Sequence, residues 1–472
     1  MAPLRNSLRP VNQLPPEILT SCATFVSDTD PRPIISLTHV CRYWRTSIIS
    51  SPRNWTSIAL GWKRLIPLCL ERARAVPLAV DITVSDTKSG EDFLKPLLSQ
   101  TSRIGCIRLT EYSFIEAVAD DLPGFFDSPM PNLTSLELQQ TTEPTELFPS
   151  SESPVPPVFQ NVSKLKSLRL TRTPLYPTLL AIASLRELTL TGYTSLFHFG
   201  MFIQFLRSNP GLELIVSDIQ FIEGSVETTL ATKVPLPHLQ HLSITCSKAI
   251  DSKGLLSSVS LPRGAHIEVT STQTDLPAKL GPFLPSPPTP IRRLLAPITT
   301  IKAQVIPWEL HLLGNGSAFT FRSPSSRSSS NALPGSGLFS TTKVRELYTN
   351  VHPYEYTDVG ILKMLKRLPA LETLAFSHTP FPPGLLLALV EEPVLCPALT
   401  TIAFFNCEMD SGLINALGEV IAERKSLAAD RLDRVVIINS TGELPKRKVI
   451  RQLQKYVPCV EIGVSDKLPD LS

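Results

Sequence analysis

His39 and Cys41 come nearest to a metal-ligating pair, but two residues apart on a helix they face different ways and cannot share one ion. The eight cysteines, Cys22, Cys41, Cys69, Cys106, Cys246, Cys396, Cys407 and Cys459, form no CxxC and stand at no ligand spacing from histidine. They read as reduced, mostly buried thiols. Gly314-Asn315-Gly316-Ser317 imitates a phosphate loop but lacks the flanking strand and helix, so it reads as a turn. No GxxxxGK[ST], GxSxG, HExxH or GxGxxG occurs, and acidic pairs such as Glu391-Glu392 read as surface charge. The expectation is a protein without catalytic residues, cofactor or metal.

Charge narrows the class further. A formal net charge of +3 comes from 45 basic and 42 acidic residues with no long run of either sign, which argues against nucleic acid or membrane as partner. Residues 1–13 lack the apolar stretch of a signal peptide, and no window approaches the ~20 apolar residues that span a bilayer. A cytoplasmic or nuclear location is expected.

Residues 11–60 read as short amphipathic helices separated by proline and aspartate breaks. Pro15 and Pro16 suit a first helical turn, and Glu17 suits the positive end of the helix dipole. Leu14, Ile18, Leu19, Cys22 and Phe25 follow at helical spacing until Asp28 to Pro31 ends the run. Pro33 to Leu37 allows one short turn, with Thr38 expected to cap a third helix that carries Val40, Trp44 and Ile48 on one stripe. For Phe25 and Ile48 a place in the bundle's own core and a partner contact are both open.

The blocks LPPEIL, ISLTHVCRYWR and SPRNW, in that order, resemble an F-box, in particular the F-box proteins of mushroom-forming fungi. The resemblance covers about 45 residues and implies a fold of three helices that binds a Skp adaptor and through it a cullin. By position it implies that Leu14, Pro15, Ile18, Leu19, Val40, Cys41 and Trp44 face the adaptor or support that face, with Trp55 closing the module. Physics agrees that so short a unit buries little of its own surface and needs a partner or a neighbouring domain.

Beyond residue 100 the frame LxxLxL keeps returning, as in Ile104/Ile107/Leu109, Leu133/Leu136/Leu138, Leu165/Leu168/Leu170, Leu185/Leu188/Leu190, Leu371/Leu374/Phe376, Leu399/Ile402/Phe404 and Leu432/Val435/Ile437. Starts lie 20 to 33 residues apart, often 27 or 28, which is the leucine-rich-repeat period. The fuller frame puts a polar side chain in the ninth place, where Cys407, Thr173, Gln220 and Thr379 stand. Helices are expected at Phe199 to Ser208, Asp358 to Leu368, Gly384 to Glu391 and Gly412 to Glu423.

The predicted fold class is α/β: a three-helix F-box followed by an irregular leucine-rich-repeat horseshoe, parallel strands inside and helices outside. The expected layout is a tail over 1–10, the F-box over 11–60, a linker helix and first strand over 61–100, and repeats over 101–270 and 341–472. A Pro/Ser-rich interruption over 271–340 has mobile ends and keeps one or two degenerate repeats between Ile298 and Arg322. Its serine run, Ser323 to Ser330, reads as a linker or as a phosphorylation site. Thr141 to Val158 reads as an inserted loop.

The leucines are structural, so recognition falls to the alternate strand positions on the opposite face. Among these Tyr348, Phe405, Val436 and Ile438 form the expected target contact, unless the C-terminal tail or a loop covers them. The resulting expectation is the substrate-recognition adaptor of a Skp/cullin/F-box ubiquitin ligase, holding an unidentified protein target. A leucine-rich-repeat scaffold or inhibitor outside any ligase is the alternative.

Overall fold

A computed structural model of the chain describes residues 10–27, 32–59, 64–83, 95–112, 128–140, 162–173, 182–192, 196–218, 220–221, 233–272, 283, 298–305, 308–314, 317–323, 341–350, 365–377, 389, 395–407, 411–426, 432–438 and 446–463. The expected loop over Thr141 to Val158 and the serine run beyond Ser323 lie outside them. The chain divides into two compact units, Met1–Ile219 and Gln220–Ser472.

The first unit opens with α1 (Pro16–Ser27), α2 (Arg32–Thr38) and α3 (Arg42–Ser50). Pro16 takes the first helical position, and the Pro15 carbonyl accepts the N–H of Ile18 at 3.1 Å and of Leu19 at 3.2 Å. Thr38 does not cap the third helix as expected. It is the last residue of α2, where its hydroxyl donates to the Ile35 carbonyl at 2.7 Å, and Cys41 stands at the N-cap of α3 in extended backbone. Val40 is therefore in the turn before α3, off the Trp44 and Ile48 stripe. The far end of α3 is closed by the following 3-10 turn, Pro52–Trp55. Asn54 Nδ2 and Trp55 Nε1 both donate to the Ile48 carbonyl, at 3.2 and 3.1 Å. Arg72 of α4 (Ile66–Ala73) lies 4.3 Å over the Trp55 ring, tying the helices to the next segment.

From here the unit is a parallel sheet. Its strands β1 (Ser57–Ala59), β2 (Leu78–Thr83), β3 (Ile104–Tyr112), β4 (Ser135–Gln140), β5 (Ser167–Thr171) and β6 (Glu187–Thr191) pair in sequence order. After β7 (Leu196–Phe197) and α5 (Phe199–Ser208), β8 (Leu214–Asp218) pairs with β6. Register puts Val80, Ile107, Leu136, Leu168, Leu188 and Ile215 in one row, all buried.

The turns repeat as closely as the strands. The N–H of Leu133, Leu165, Leu185 and Leu212 each donates to the carbonyl three residues earlier. The next residue in each copy donates to its counterpart one copy back: Lys166 to Thr134, Arg186 to Lys166 and Glu213 to Arg186. Just after the strands, Arg172 (φ 54), Gly192 (φ 73) and, in the second unit, Asn406 (φ 51) take the left-handed conformation. This aims the ninth-place side chain back at the sheet. Thr173 Oγ1 lies 3.2 Å from the Leu138 carbonyl, and Cys407 Sγ 3.6 Å from that of Phe376, each one strand back.

The second unit contains β9 (Gln220–Phe221), β10 (Val234–Pro235), β11 (His241–Cys246), α6 (Ala249–Ser258), β12 (Val259–Ser260), β13 (His266–Ser271), β14 (Ile298–Val305), β15 (Trp308–Gly314) and β16 (Ser317–Ser323). It continues through β17 (Glu346–Asn350), β18 (Thr373–Ser377), β19 (Thr401–Phe405), α7 (Ser411–Ser426), β20 (Arg434–Ile438), α8 (Lys446–Leu453) and β21 (Cys459–Gly463). Pairs β11 with β13, and β17 through β21 in order, are parallel. Between them the expected degenerate repeats are replaced by an antiparallel meander. β16 joins β13 and β14 joins β17, each in parallel, while β15 runs antiparallel to both. The cause is length: two residues separate β14 from β15 and β15 from β16, and a parallel crossover needs about a dozen. Phe283, from the proline-rich stretch, is buried with its ring 5.0 Å from Phe321, and its carbonyl accepts the Ser252 hydroxyl at 3.1 Å.

Among the expected helices Phe199–Ser208 forms as α5, and Gly412 to Glu423 lies within α7. Most of the other two lies outside the described residues.

Asp251, in the first turn of α6, is 1% exposed and neither oxygen completes a hydrogen bond of ordinary geometry. Burial raises its carboxyl from 3.8 to about 6, and the Phe221 N–H and Lys248 offset this only in part. The folded state thus prefers the neutral acid. Stability falls as pH rises from about 4 to about 6 and is flat above. Asp251→Asn should gain up to about 3 kcal/mol at pH 7.5, seen as a raised Tm, and almost nothing at pH 4. An equal gain at both pH values would contradict the burial account.

Candidate interaction surfaces

Helix α1 has two apolar faces. Leu19 and Ala23, four residues apart, are buried in the helical bundle. Ile18, Cys22 and Phe25 fall on another side and are exposed, Ile18 at 48% and Phe25 at 81%, while Val26 is exposed at the end of the helix. The Tyr43 hydroxyl donates to the Leu14 carbonyl at 2.6 Å, which brings α3 alongside the start of α1. Val40, 53% exposed in the turn before α3, and exposed Val11 also belong to this module. Of the eight large apolar residues exposed among the described residues, six lie between Val11 and Tyr43. Scattered exposure needs no explanation, but concentration in one small module marks a contact surface.

The residues expected to face a partner divide accordingly. Pro15, Ile18 and Val40 are exposed, and Leu14, Cys41 and Trp44 are half-buried. Leu19 is buried at 1%, so it supports the face from beneath and does not lie on it. Of the two residues with both readings open, Ile48 is fully buried and Phe25 is the most exposed large apolar side chain described. Phe25 follows Leu19 by six residues, which on a helix turns it to the far side. That periodicity was a usable signal for Phe25, whereas the exposure of Val26 depended on where α1 ends and the outward position of Val40 on where α3 begins.

On the first unit's sheet the face opposite the leucine rows is polar and charged. Asp81, Arg108, Glu137 and Arg169 are register neighbours on four consecutive strands. Arg108 Nε donates to Glu137 Oε2 at 3.0 Å and its Nη1 is 3.8 Å from Asp81, while Arg169 Nη1 is 3.7 Å from Glu137. The hydrogen bond to Glu137 raises the Arg108 pKa, and burial raises that of Asp81 although Arg108 opposes it. Each exposed pair contributes at most about 1 kcal/mol, so this self-neutralised ladder fixes side-chain positions more than it stabilises.

The second unit presents a different face. Tyr348, Ala375, Ala403 and Val436 share one register row, and Phe405 pairs with Ile438 in another. With the two alanines these residues form an apolar cluster on the side opposite Leu374, Ile402 and Val435. Phe405, expected in an open contact patch, is only 7% exposed, and Tyr348, Val436 and Ile438 are half-buried. Large neighbours around two small alanines close the patch. β18 and β19 are consequently buried on both faces along most of their length.

All eight cysteines are free thiols. Burial pushes Cys69 up to about 11 and Cys396 up to about 12, against the pull of Arg72 and Arg424, so both are protonated and unreactive at neutral pH. Among the described residues no group of three His, Cys, Asp or Glu could hold a metal ion, and no helix is long and apolar enough to cross a membrane. No family model matches the chain, and no curated protein matches it either.

Phe25→Ser and Val40→Ser should each change the free energy of unfolding by less than about 0.5 kcal/mol, because both side chains already face solvent. Leu19→Ala should cost about 2–4 kcal/mol. Urea unfolding followed by tryptophan fluorescence separates the two classes, and a large loss from Phe25→Ser would place that ring in the core.

Proposed function

We propose that this chain is the substrate-recognition adaptor of a Skp/cullin/F-box ubiquitin ligase. In this reading α1 to α3 are an F-box, and the two stretches of parallel strands are irregular leucine-rich repeats of a horseshoe that holds the target. The observation that carries it is the exposed apolar face of the N-terminal helices, with Ile18, Phe25 and Val40 turned to solvent in a module too small to bury them. The sequence blocks LPPEIL, ISLTHVCRYWR and SPRNW support the same reading.

The contribution of such a protein is proximity. A target bound to the repeats and a ubiquitin-carrying enzyme bound through the adaptor are held on one scaffold, so that attack by a target lysine becomes effectively intramolecular. This needs no acid, base or nucleophile from the chain itself. The cytoplasm and nucleus are where such a complex would act.

Co-expression with a Skp adaptor tests the proposal. Wild type should co-purify with it, whereas Ile18→Asp and Val40→Asp, which place a carboxylate in a desolvated contact, should weaken binding at least 100-fold while the chain stays folded. Failure of wild type to retain the adaptor, or equal retention by both variants, would overturn the assignment.

A further inference from the structure

Apart from these surfaces, the second unit gathers three histidines on one sheet face. His241 on β11 and His266 on β13 are register partners, and their rings meet edge to face with centroids 4.8 Å apart. His266 Nε2 lies 3.3 Å from Thr320 Oγ1 on β16, and His311 Nδ1 on β15 lies 3.1 Å from the same oxygen. Thr320 is buried, so both imidazoles share a hydroxyl that carries one proton. While at least one ring is neutral, the hydroxyl accepts from one nitrogen and donates to the other. When both rings are protonated, Oγ1 can still accept from both, but its own proton has no imidazole left to accept it and two cations are held against each other.

The location gives this chemistry a consequence. The bridge crosses β13, β16 and β15, the seam where the parallel strands pass into the antiparallel meander. Glu268 lies two residues from His266 on the same side of β13 and favours a first imidazolium. By register Lys302 on β14 stands beside His311, and Glu309 on β15 pairs with Arg322 on β16 in the next row. Glu268, the register partner of Thr320, can thus accommodate one added charge far better than two.

We propose that the His266–Thr320–His311 bridge is an acid-sensitive latch that holds the meander to the parallel strands. It is closed with at most one imidazolium and opens when the second ring is protonated. The latch is closed at neutral pH and opens under mildly acidic conditions.

Histidine-selective NMR on the full chain, with amide hydrogen exchange corrected for intrinsic pH dependence, tests the latch. His266 and His311 should titrate as a coupled pair in steps at least about one pH unit apart. Protection in β15 and β16 should fall at least about tenfold between pH 7.5 and 5.5. His311→Gln, which keeps a neutral hydrogen-bonding group, should abolish that pH dependence, and His266→Gln serves the same purpose should the first variant fail to fold. Independent single-step titrations, or the same loss of protection in the glutamine variant, would overturn the proposal.

Discussion

One strand with its turn cannot bury its own leucines, and the structure answers this by keeping neighbouring copies in register. Val80, Ile107, Leu136, Leu168, Leu188 and Ile215 stack side by side across six strands, and Leu347, Leu374, Ile402, Val435 and Val460 form the equivalent row of the second unit. Register is enforced twice, by the strand ladders and by the turn residues that donate to their counterparts one copy back. Once one face is committed to this stacking, every alternate residue must face the other way. The charge ladder at Asp81, Arg108, Glu137 and Arg169, the apolar cluster around Phe405 and the histidine bridge are three uses of those positions.

The N-terminal helices face the opposite problem. They hold together through buried Leu19, Ala23, Ile34 and Ile48 and through hydrogen bonds that close the ends of α2 and α3. That core occupies one side of α1 and leaves the other apolar and wet. Leaving Phe25 and Ile18 in water forfeits roughly 1.5–3 kcal/mol per side chain relative to burial, a driving force that a partner with a matching groove would recover. An exposed stripe of this kind is the simplest physical basis for the proposed adaptor contact.

Much of this was legible in the sequence because the leucine period belongs to single segments. The strand positions, α5, and the roles of Thr173 and Cys407 follow from spacing alone. What escaped depended on tertiary context. The pairing of Arg108 with Glu137 joins residues on separate strands and exists only through register. The apolar residues of β15 and β16 resemble a repeat until the two-residue connections are weighed, and then only an antiparallel path is possible. Phe405 alternates as an outward residue should, yet its cover depends on the small size of Ala403 on its own strand and of Ala375 on the neighbouring one. Val40 shifted because α2 runs on to Thr38 and α3 starts late.

In the proposed complex an adaptor covers the apolar side of α1 and the turn before α3. Amide hydrogen exchange of the full chain with and without purified Skp adaptor measures this directly. Exchange should slow within residues 10–59 alone and stay unchanged in β17 to β21. Unchanged exchange over residues 10–59 at saturating adaptor would contradict it.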